Sequence, residues 1–472
     1  MRMRRTALAA LTVGLAVASA IGCAAAPGTA PWPQEPAGIP TITILSGTDT
    51  SISAGNRPMK KGEPGMYQEL VDWWNRYEAP LRHVRVRLDV IPGGATIEHS
   101  EMLAAAETGS TSYDVFNLDS EWVPEFAAAG YIRSLQGRLP VSGFLAKPLA
   151  SGEDPSGRLY AAPFTTDVGL LYYRDDLVTA AEAASLHTFT QVMSLAQRTI
   201  RAHPQAGLTE EYAGQFAKYE GLTVNVLEMI RGYSYNQPAF AANGTIENPS
   251  AVSATLQELV DMFSGSQLPP AELTYQEAQA FSAFATGQAL FMRNWPIYYE
   301  DLKADDEPGR AEYIAHHFAV VPLPFPSVLG GQDLAISAHS RNPTQALEVI
   351  EFLTSAAAER CLFAVGGFPA TRKTAYAAGR LPSRYGQVHG HLLCGNQSGG
   401  SVRIGPTILH ALARAIPRPD TRYYTEFSTV IQDDVWPMLS LASRGGDFNV
   451  AKVVAALTNG LNAAASGRAP PP

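Results

Sequence analysis

The start of the globular part constrains the fold most, because strand patterns and helical patterns alternate there. Strands and helices are predicted in turn at 41–45, 66–77, 84–90, 97–107 and 113–118. The strand stretches are apolar runs or strict apolar–polar alternations, whereas the helical stretches repeat their apolar residues at helical spacing. A strand–helix–strand–helix–strand order predicts a parallel sheet covered by helices.

Later strand patterns come in a second set that helices interrupt. They lie at 159–164, 168–173, 290–293, 314–321 and 333–337. Because helical stretches separate these strands, we expect the chain to cross between two α/β lobes more than once. Ligands of open α/β sheets bind outside the carboxyl ends of the strands, so two facing lobes would form a cleft that closes by hinge motion.

The N-terminus has the pattern of an export signal. Three arginines precede an uncharged apolar run that ends at Ala20. This last residue begins the sequence AIGC, residues 20–23. The run is too short for a membrane-spanning helix, so residues 1–22 are predicted to be a cleaved signal peptide. The AIGC sequence resembles the bacterial lipobox, with Ala20 where leucine is usual. Cys23 is therefore expected to carry lipid and to anchor the protein to the outer face of the cell membrane; a plain secretory signal is the alternative.

Composition limits the classes of binding partner and indicates the cellular compartment. Residues 23–40 are rich in proline and predict an extended tether. The net charge is −9 and no basic run follows the signal, which argues against a nucleic-acid partner. Cys361 and Cys394 are the two cysteines that remain beside Cys23. In an oxidising compartment they predict a disulfide, with two buried free thiols as the alternative.

Five groups of short motifs run in order through nearly the whole mature chain. They are 114–119 with 130–132, 157–163 with 171–174, 284–289 with 292–296, 330–331 with 334–337, and 418–419 with 423–424. Their order resembles the extracytoplasmic solute-binding proteins of ABC sugar importers. The segments 219–223 and 291–295 narrow the resemblance to the trehalose/maltose-binding type.

The resemblance implies a two-lobed, periplasmic-binding-protein-like α/β clamshell with several hinge crossings. Residues 41–162 and 293–341 would form the first lobe, and residues 163–292 and 342–472 the second. Such a protein binds a di- or oligosaccharide and delivers it to the membrane permease, without a cofactor, a metal or any chemistry on the ligand. We expect a monomer.

Four residues are the main candidates for ligand contacts, because sugars need planar hydrogen-bonding groups and flat apolar faces. Asp119 follows the third strand and would point into the cleft or cap a helix. Asp167 lies at a strand break and would bind ligand or stabilise a turn. Trp295 precedes a proline and would present its ring to the cleft or pack in the core. Arg418 would reach a ligand hydroxyl or brace the cleft through an ion pair.

Further candidates are His99 and Trp122. His99 is expected to form hydrogen bonds at the edge of the cleft, and Trp122 to touch ligand or, as the alternative, to pack its helix. Glu98 and Glu101 lie near His99, but this spacing does not define the geometry of a metal site.

Thr165 and Gln332 stand where relatives of this type often carry an aromatic residue and a tryptophan. They are kept as candidate contacts, and they indicate a changed ligand. Tyr233 and Tyr235 could supply the missing aromatic faces.

Two other functions are consistent with an exported cleft. A surface sensor would keep the fold and pass a signal to another membrane protein. A glycosidase would use two carboxylates, for which Asp119 and Asp167 are a formal pair. The chain contains none of the G-x-S-x-G, H-E-x-x-H or Walker-type motifs of other enzyme classes.

Overall fold

The computed structural model describes residues 39–48, 65–234, 237–265, 267–304, 309–377, 393 and 401–468. The predicted signal peptide, Cys23, most of the tether, Tyr235 and Cys394 lie outside the described residues. The helices are α1 (Met66–Tyr77), α2 (Ala79–Arg82), α3 (Ala95–Glu107), α4 (Val123–Ala128), α5 (Ala146–Ser151), α6 (Ala180–Ala184), α7 (Phe189–Ala202), α8 (Glu220–Tyr233), α9 (Pro249–Ser264), α10 (Glu277–Ala285), α11 (Tyr298–Ala304), α12 (Arg310–His316), α13 (Pro343–Leu353), α14 (Ala356–Ala364), α15 (Ser401–Arg414), α16 (Tyr424–Ala442) and α17 (Val450–Ala465).

Eleven described strands form two main sheets and one small ribbon. The strands are β1 (Thr41–Gly47), β2 (Arg85–Ile91), β3 (Val115–Asp119), β4 (Ala161–Pro163), β5 (Asp167–Val168), β6 (Leu170–Tyr173), β7 (Glu210–Ala213), β8 (Ala289–Asn294), β9 (Ala319–Pro322), β10 (Leu329–Gly330) and β11 (Gln332–Ile336). The first lobe contains the sheet β2-β1-β3-β11-β4, and the second lobe contains the sheet β7-β8-β6-β9. The fold is the two-lobed α/β architecture that the sequence predicts.

The alternating start of the chain forms the parallel part of the first sheet. β1 pairs in parallel with β2 and β3, and α1 and α3 connect them. The apolar stripe of α1 is buried as predicted, because Leu70 and Trp74 are 1% and 0% exposed. The Trp74 indole Nε1 donates to the carbonyl of Val84 at 2.9 Å. Burying the ring therefore leaves no indole donor unsatisfied.

The chain crosses between the lobes at places that differ from the predicted ones. The sequence division put 293–341 in the first lobe, but β8 and β9 pair with the two edges of β6 in the second sheet. The chain returns to the first lobe only at β11, which pairs with β3 and β4. Apolar alternation marks a strand without showing which sheet it joins, so the pattern could not give this assignment.

The segment after β11 also differs from the predicted division, which placed everything from residue 342 onward in the second lobe. Val349 of α13 and Leu362 of α14 lie in the same buried cluster as Ile44 of β1. These two helices therefore cover the first sheet. Ile408 of α15 lies in a cluster of the second lobe, so a third crossing occurs between α14 and α15.

The first two crossings run side by side where β5 pairs antiparallel with β10. Gly331 follows this ribbon with φ +124°, and a Cβ there would lie 2.3 Å from the carbonyl oxygen of Thr165. Only glycine fits this close approach without moving the backbone. The third crossing touches the same place, since Thr166 N–H donates to the carbonyl of Pro369 at 3.0 Å.

Two secondary-structure expectations need correction. Residues 314–321 were predicted as one strand, but α12 ends at His316 and strand β9 begins only at Ala319. His316 and His317 therefore lie at a helix end and not on a strand. The short strand β7 was not predicted, because its four residues include two glutamates. No described helix is both long and apolar enough to cross a membrane.

Candidate ligand-binding site between the lobes

Asp119, Gln332 and Thr165 form a polar chain at one edge of the first sheet. Asp119 ends β3 and lies directly opposite Gln332, the first residue of β11. The Gln332 amide Nε2 donates to Asp119 Oδ1 at 3.0 Å, and the Thr165 hydroxyl donates to Gln332 Oε1 at 2.5 Å. Asp119 makes no side-chain cap to the short helix that follows it. The three predicted residues are therefore brought together, and the helix-cap alternative for Asp119 is not seen.

The second lobe adds two glutamates, each at the first position of a helix. Glu220 begins α8 and Glu277 begins α10. Helix N-termini favour negative charge, so an acidic side chain is well placed at both positions. The Tyr424 and Ser428 hydroxyls of α16 each donate to Glu220 at 2.5 Å.

Arg418 joins the two lobes in this cluster. Its Nη1 contacts Glu121 of the first lobe and Glu220 of the second lobe, the latter at 2.9 Å. The Arg418 side chain is 7% exposed. Burial lowers the pKa of Arg418, but the charges of Glu121, Tyr424 and Glu220 more than offset this, so its pKa is raised. The ion-pair alternative for Arg418 is therefore what the structure contains.

The carboxylates of the cluster influence one another. Burial raises the pKa of Asp119, and the charge of Arg418 offsets only part of that rise. Burial likewise raises the pKa of Glu121, with Arg418 opposing the rise and Asp119 adding to it. Asp333, next to Gln332 in β11, is buried, and burial raises its pKa to about 8. The cluster thus contains more carboxyl groups than its one arginine can balance, and burial disfavours their ionised forms.

Trp295 lies above a buried ion pair at the end of β8. The Arg293 guanidinium carbon is 3.8 Å from the centroid of the Trp295 ring. Arg293 in turn donates two hydrogen bonds to Glu228, from Nε to Oε2 at 3.0 Å and from Nη2 to Oε1 at 2.8 Å. The indole Nε1 of Trp295 is 3.4 Å from Oε1 of Glu277. This support orients the ring next to the acidic cluster.

Asp167 lies beside Trp295 at the hinge ribbon. Asp167 pairs with Gly330 across β5 and β10. A Cβ on Gly330 would lie 3.3 Å from Cβ of Asp167 and 3.6 Å from Cη2 of Trp295. Gly330 therefore packs closely between two of the predicted ligand contacts.

His99 forms a second contact between the lobes. Its Nε2 lies 2.8 Å from Oε2 of Glu125, and the Thr425 hydroxyl of the second lobe donates to the same oxygen at 3.1 Å. Trp122 is 5% exposed and packs edge-on against His99, with ring centroids 5.1 Å apart. Trp122 thus occupies the packed position that was its alternative.

Other predicted residues lie apart from the cluster. Tyr233 is at the opposite end of α8 from Glu220, roughly 20 Å away by helical rise. It does not replace the missing aromatic faces, and its hydroxyl donates to Glu258 at 2.5 Å. Cys361 is buried and disulfide-bonded. Its pairing with Cys394 stays a prediction, because Cys394 lies outside the described residues.

Glu98 and His99 form hydrogen bonds with different partners. The described part of the chain contains no group of three or more acidic, histidine or cysteine side chains that could hold a metal ion. Glu98 accepts from the backbone N–H of Thr48 at 3.2 Å.

Three glutamates of the cluster were not predicted from the sequence as contacts: Glu121, Glu220 and Glu277. Glu121 follows Asp119 by two residues, and Glu220 lies inside the motif 219–223. Both signals were present, but a glutamate at a helix start is common for reasons unrelated to ligands. Only the folded chain brings the three together.

The sequence profile of the bacterial extracellular solute-binding protein family matches residues 66–360, which is more than half of the chain. The chain therefore belongs to this family of exported binding proteins, and the resemblance read from its motifs is confirmed.

Individual relatives agree with this placement. A "Probable ABC transporter-binding protein" of Deinococcus radiodurans is 30% identical over 263 residues, covering 52% of this chain and 59% of the relative. A "Probable amino-acid ABC transporter periplasmic-binding protein" of Sinorhizobium fredii is 24% identical over 285 residues, covering 58% and 63%. The chain thus spans about three fifths of the length of these curated relatives.

A solved structure covers much more of the chain. The maltose-bound MalE3 protein of T. maritima superposes with a TM-score of 0.71 and is 25% identical, covering 90% of this chain and 99% of that one.

Proposed function

We propose that this protein is the binding subunit of an ABC importer, which captures a carbohydrate outside the membrane and delivers it to the permease. The observation that carries the proposal is the cluster between the lobes, where Asp119, Glu277 and Trp295 meet on the fold of a solute-binding family. Carboxylates accept hydrogen bonds from hydroxyl groups, and an indole ring offers a flat face to the apolar side of a sugar. The maltose bound to MalE3 is consistent with this ligand class.

The cluster is built to bind and not to react. Glu121 and Glu220 are both engaged by Arg418, and Glu220 also accepts from two hydroxyls. Asp119 is held by Gln332. Carboxylates that are already held by hydrogen bonds and ion pairs are poor candidates for a nucleophile and a general acid. They are well suited to act as fixed hydrogen-bond acceptors.

A carbohydrate that binds only the folded protein raises its melting temperature by mass action, so a panel of trehalose, maltose, sucrose, maltotriose, monosaccharides and polyols tests the ligand class. With the sugar that binds, Trp295→Ala is expected to weaken affinity by about ten-fold to a hundred-fold, because the variant loses an aromatic face. Isothermal titration calorimetry measures the change.

Trp436→Ala is the matched control. Trp436 lies twelve residues along α16 from Tyr424, about 18 Å from that tyrosine by helical rise, and its indole donates to the carbonyl of Leu273. This variant should lose stability and keep its affinity for the sugar. Equal affinity of Trp295→Ala and the natural protein would remove Trp295 from the site, and a panel without any binding sugar would contradict the carbohydrate proposal.

The family is extracellular, and for this chain we propose a lipid anchor at Cys23 as the form of attachment. Cys23→Ser is expected to shift the protein from the membrane fraction to the soluble fraction of cells that produce it. Detergent phase partition and mass measurement of the mature N-terminus check this. A mature natural protein that begins elsewhere than at residue 23 and carries no lipid would contradict the anchor.

A further inference from the structure

The charges in the cluster between the lobes do not balance. Asp119, Glu121, Glu220 and Glu277 contribute four carboxylates, and Arg418 contributes the guanidinium that opposes them. If all four were ionised they would exceed the arginine by three negative charges, and burial together with the neighbouring carboxylates raises the pKa of Asp119 and of Glu121. Arg293 is close by but is held by Glu228 in a buried pair, with both side chains at most 2% exposed.

The four carboxylates lie near enough to interact. The charges of Glu220 and Glu277 both raise the pKa of Asp119, and those of Asp119 and Glu220 raise that of Glu121. Two of the four come from each lobe, so closure of the lobes brings the charges together. Burying unbalanced charge away from water is costly unless an opposite charge accompanies it.

Two of the carboxylates lie at helix N-termini. Glu220 and Glu277 occupy the first positions of α8 and α10, where the helix dipole favours an anion. Glu220 also accepts two hydroxyl hydrogen bonds and one from Arg418.

A second, independent observation points to an oxygen-bearing ligand. Among the described residues, the buried Nε of Arg418 has no hydrogen-bond partner, although the side chain is more than nine-tenths buried. A buried donor without an acceptor is costly, and a ligand oxygen would satisfy it. On the first lobe, Thr165 and Gln332 present a polar wall instead of aromatic rings.

We infer that the ligand is a positively charged, polyhydroxylated amine, of the class of amino sugars or aminocyclitols. This rests on the proposed function, because it names the kind of carbohydrate that the same site takes. The ammonium group would face the carboxylates of Asp119, Glu121 and Glu277, and ring or hydroxyl oxygens would accept from Arg418.

The test compares sugars that differ in one group. Calorimetry with the natural protein uses two pairs, glucose with glucosamine and trehalose with its 2-amino-2-deoxy analogue, with N-acetylglucosamine as the uncharged nitrogen compound. At least one amine is expected to bind about ten-fold or more tightly than its neutral partner, since charge-assisted hydrogen bonds are about twice as strong as neutral ones. N-acetylglucosamine should behave like glucose.

A variant that removes one carboxylate tests whether the preference for the amine arises in this cluster. Glu277→Gln keeps the shape of the side chain and should reduce the preference for the amine by about ten-fold. Glu312→Gln removes an exposed carboxylate from α12 and should leave the preference unchanged. Thermal melting of both variants checks that they are folded.

The outcomes separate the two proposals. Neutral sugars that bind as tightly as their amines, or more tightly, would overturn the charged-ligand inference and leave the carbohydrate importer in place. An equal preference in the natural protein and in Glu277→Gln would overturn the assignment to this cluster. Binding by neither member of any pair, with no sugar of the wider panel binding, would overturn both.

Discussion

Arg293→Met is expected to lower the free energy of unfolding by about 3–5 kcal/mol, because it leaves Glu228 buried without its cation. Glu228 is 1% exposed, and its remaining donors are the hydroxyl of Ser327 at 2.7 Å and the N–H of Val328 at 3.1 Å. Two neutral donors do not replace a bidentate guanidinium. Chemical denaturation of the purified protein measures the loss.

A double variant distinguishes a broken pair from lost packing. Arg293→Met combined with Glu228→Leu removes both charges and should recover much of the stability. Lys218→Met breaks an ion pair with Asp433 whose side chains are 47% and 57% exposed, so it should cost less than about 1 kcal/mol. A single variant as stable as the natural protein would show that the buried pair contributes nothing to folding.

Arg418→Met is expected to lower stability by about 3 kcal/mol near neutral pH, because Glu121 and Glu220 lose the cation between them. The loss should depend on pH. Burial already raises the pKa of Glu121 and of Asp119 against the opposing charge of Arg418, so without Arg418 their folded-state pKa values lie further above their unfolded values. Such groups contribute stability at pH values below their unfolded pKa and lose it as pH rises through the folded pKa. The deficit of the variant should therefore be small near pH 4 and large near pH 8.

Melting temperatures of both proteins across this pH range test the expectation. Arg444→Met removes an exposed arginine from the end of α16 and should give a deficit that does not change with pH. A deficit of Arg418→Met that is constant from pH 4 to pH 8 would show that the carboxylates do not sense the arginine. Small-angle scattering of the variant at pH 8 would show whether the lobes move apart.

Much of the fold could be predicted because its elements carry strong local patterns. The alternating stretch from β1 to β3 forms the predicted parallel pairs, and helices α1 and α3 lie within two residues of their predicted bounds. What failed was the assignment of strands to sheets. β8 is buried at all six positions, and a strand buried on both faces carries no sign of its neighbours.

The residues of the candidate site could likewise be predicted only in part. Asp119 could be named because it follows a strand, and Thr165 and Gln332 because relatives of the resembled type carry aromatic residues there. The structure joins the three by hydrogen bonds. The carboxylates of Glu121, Glu220 and Glu277 were missed because their common position depends on three distant segments. Tyr233 could be named only as a possible source of an aromatic face, because a sequence gives the type of a ring but not its position relative to the other site residues.

The position of β11 has a consequence for how the chain acquires its structure. β11 lies between β3 and β4 in the first sheet, and its Gln332 is bonded to Asp119 across 213 residues of sequence. Contacts so distant along a chain slow folding, because a long loop must close before they form. The first lobe therefore lacks its fourth strand until some 330 residues are available. A chain that completes its first lobe this late can stay unfolded while most of its length passes through a narrow pore. This suits a protein that folds after it has left the cytoplasm.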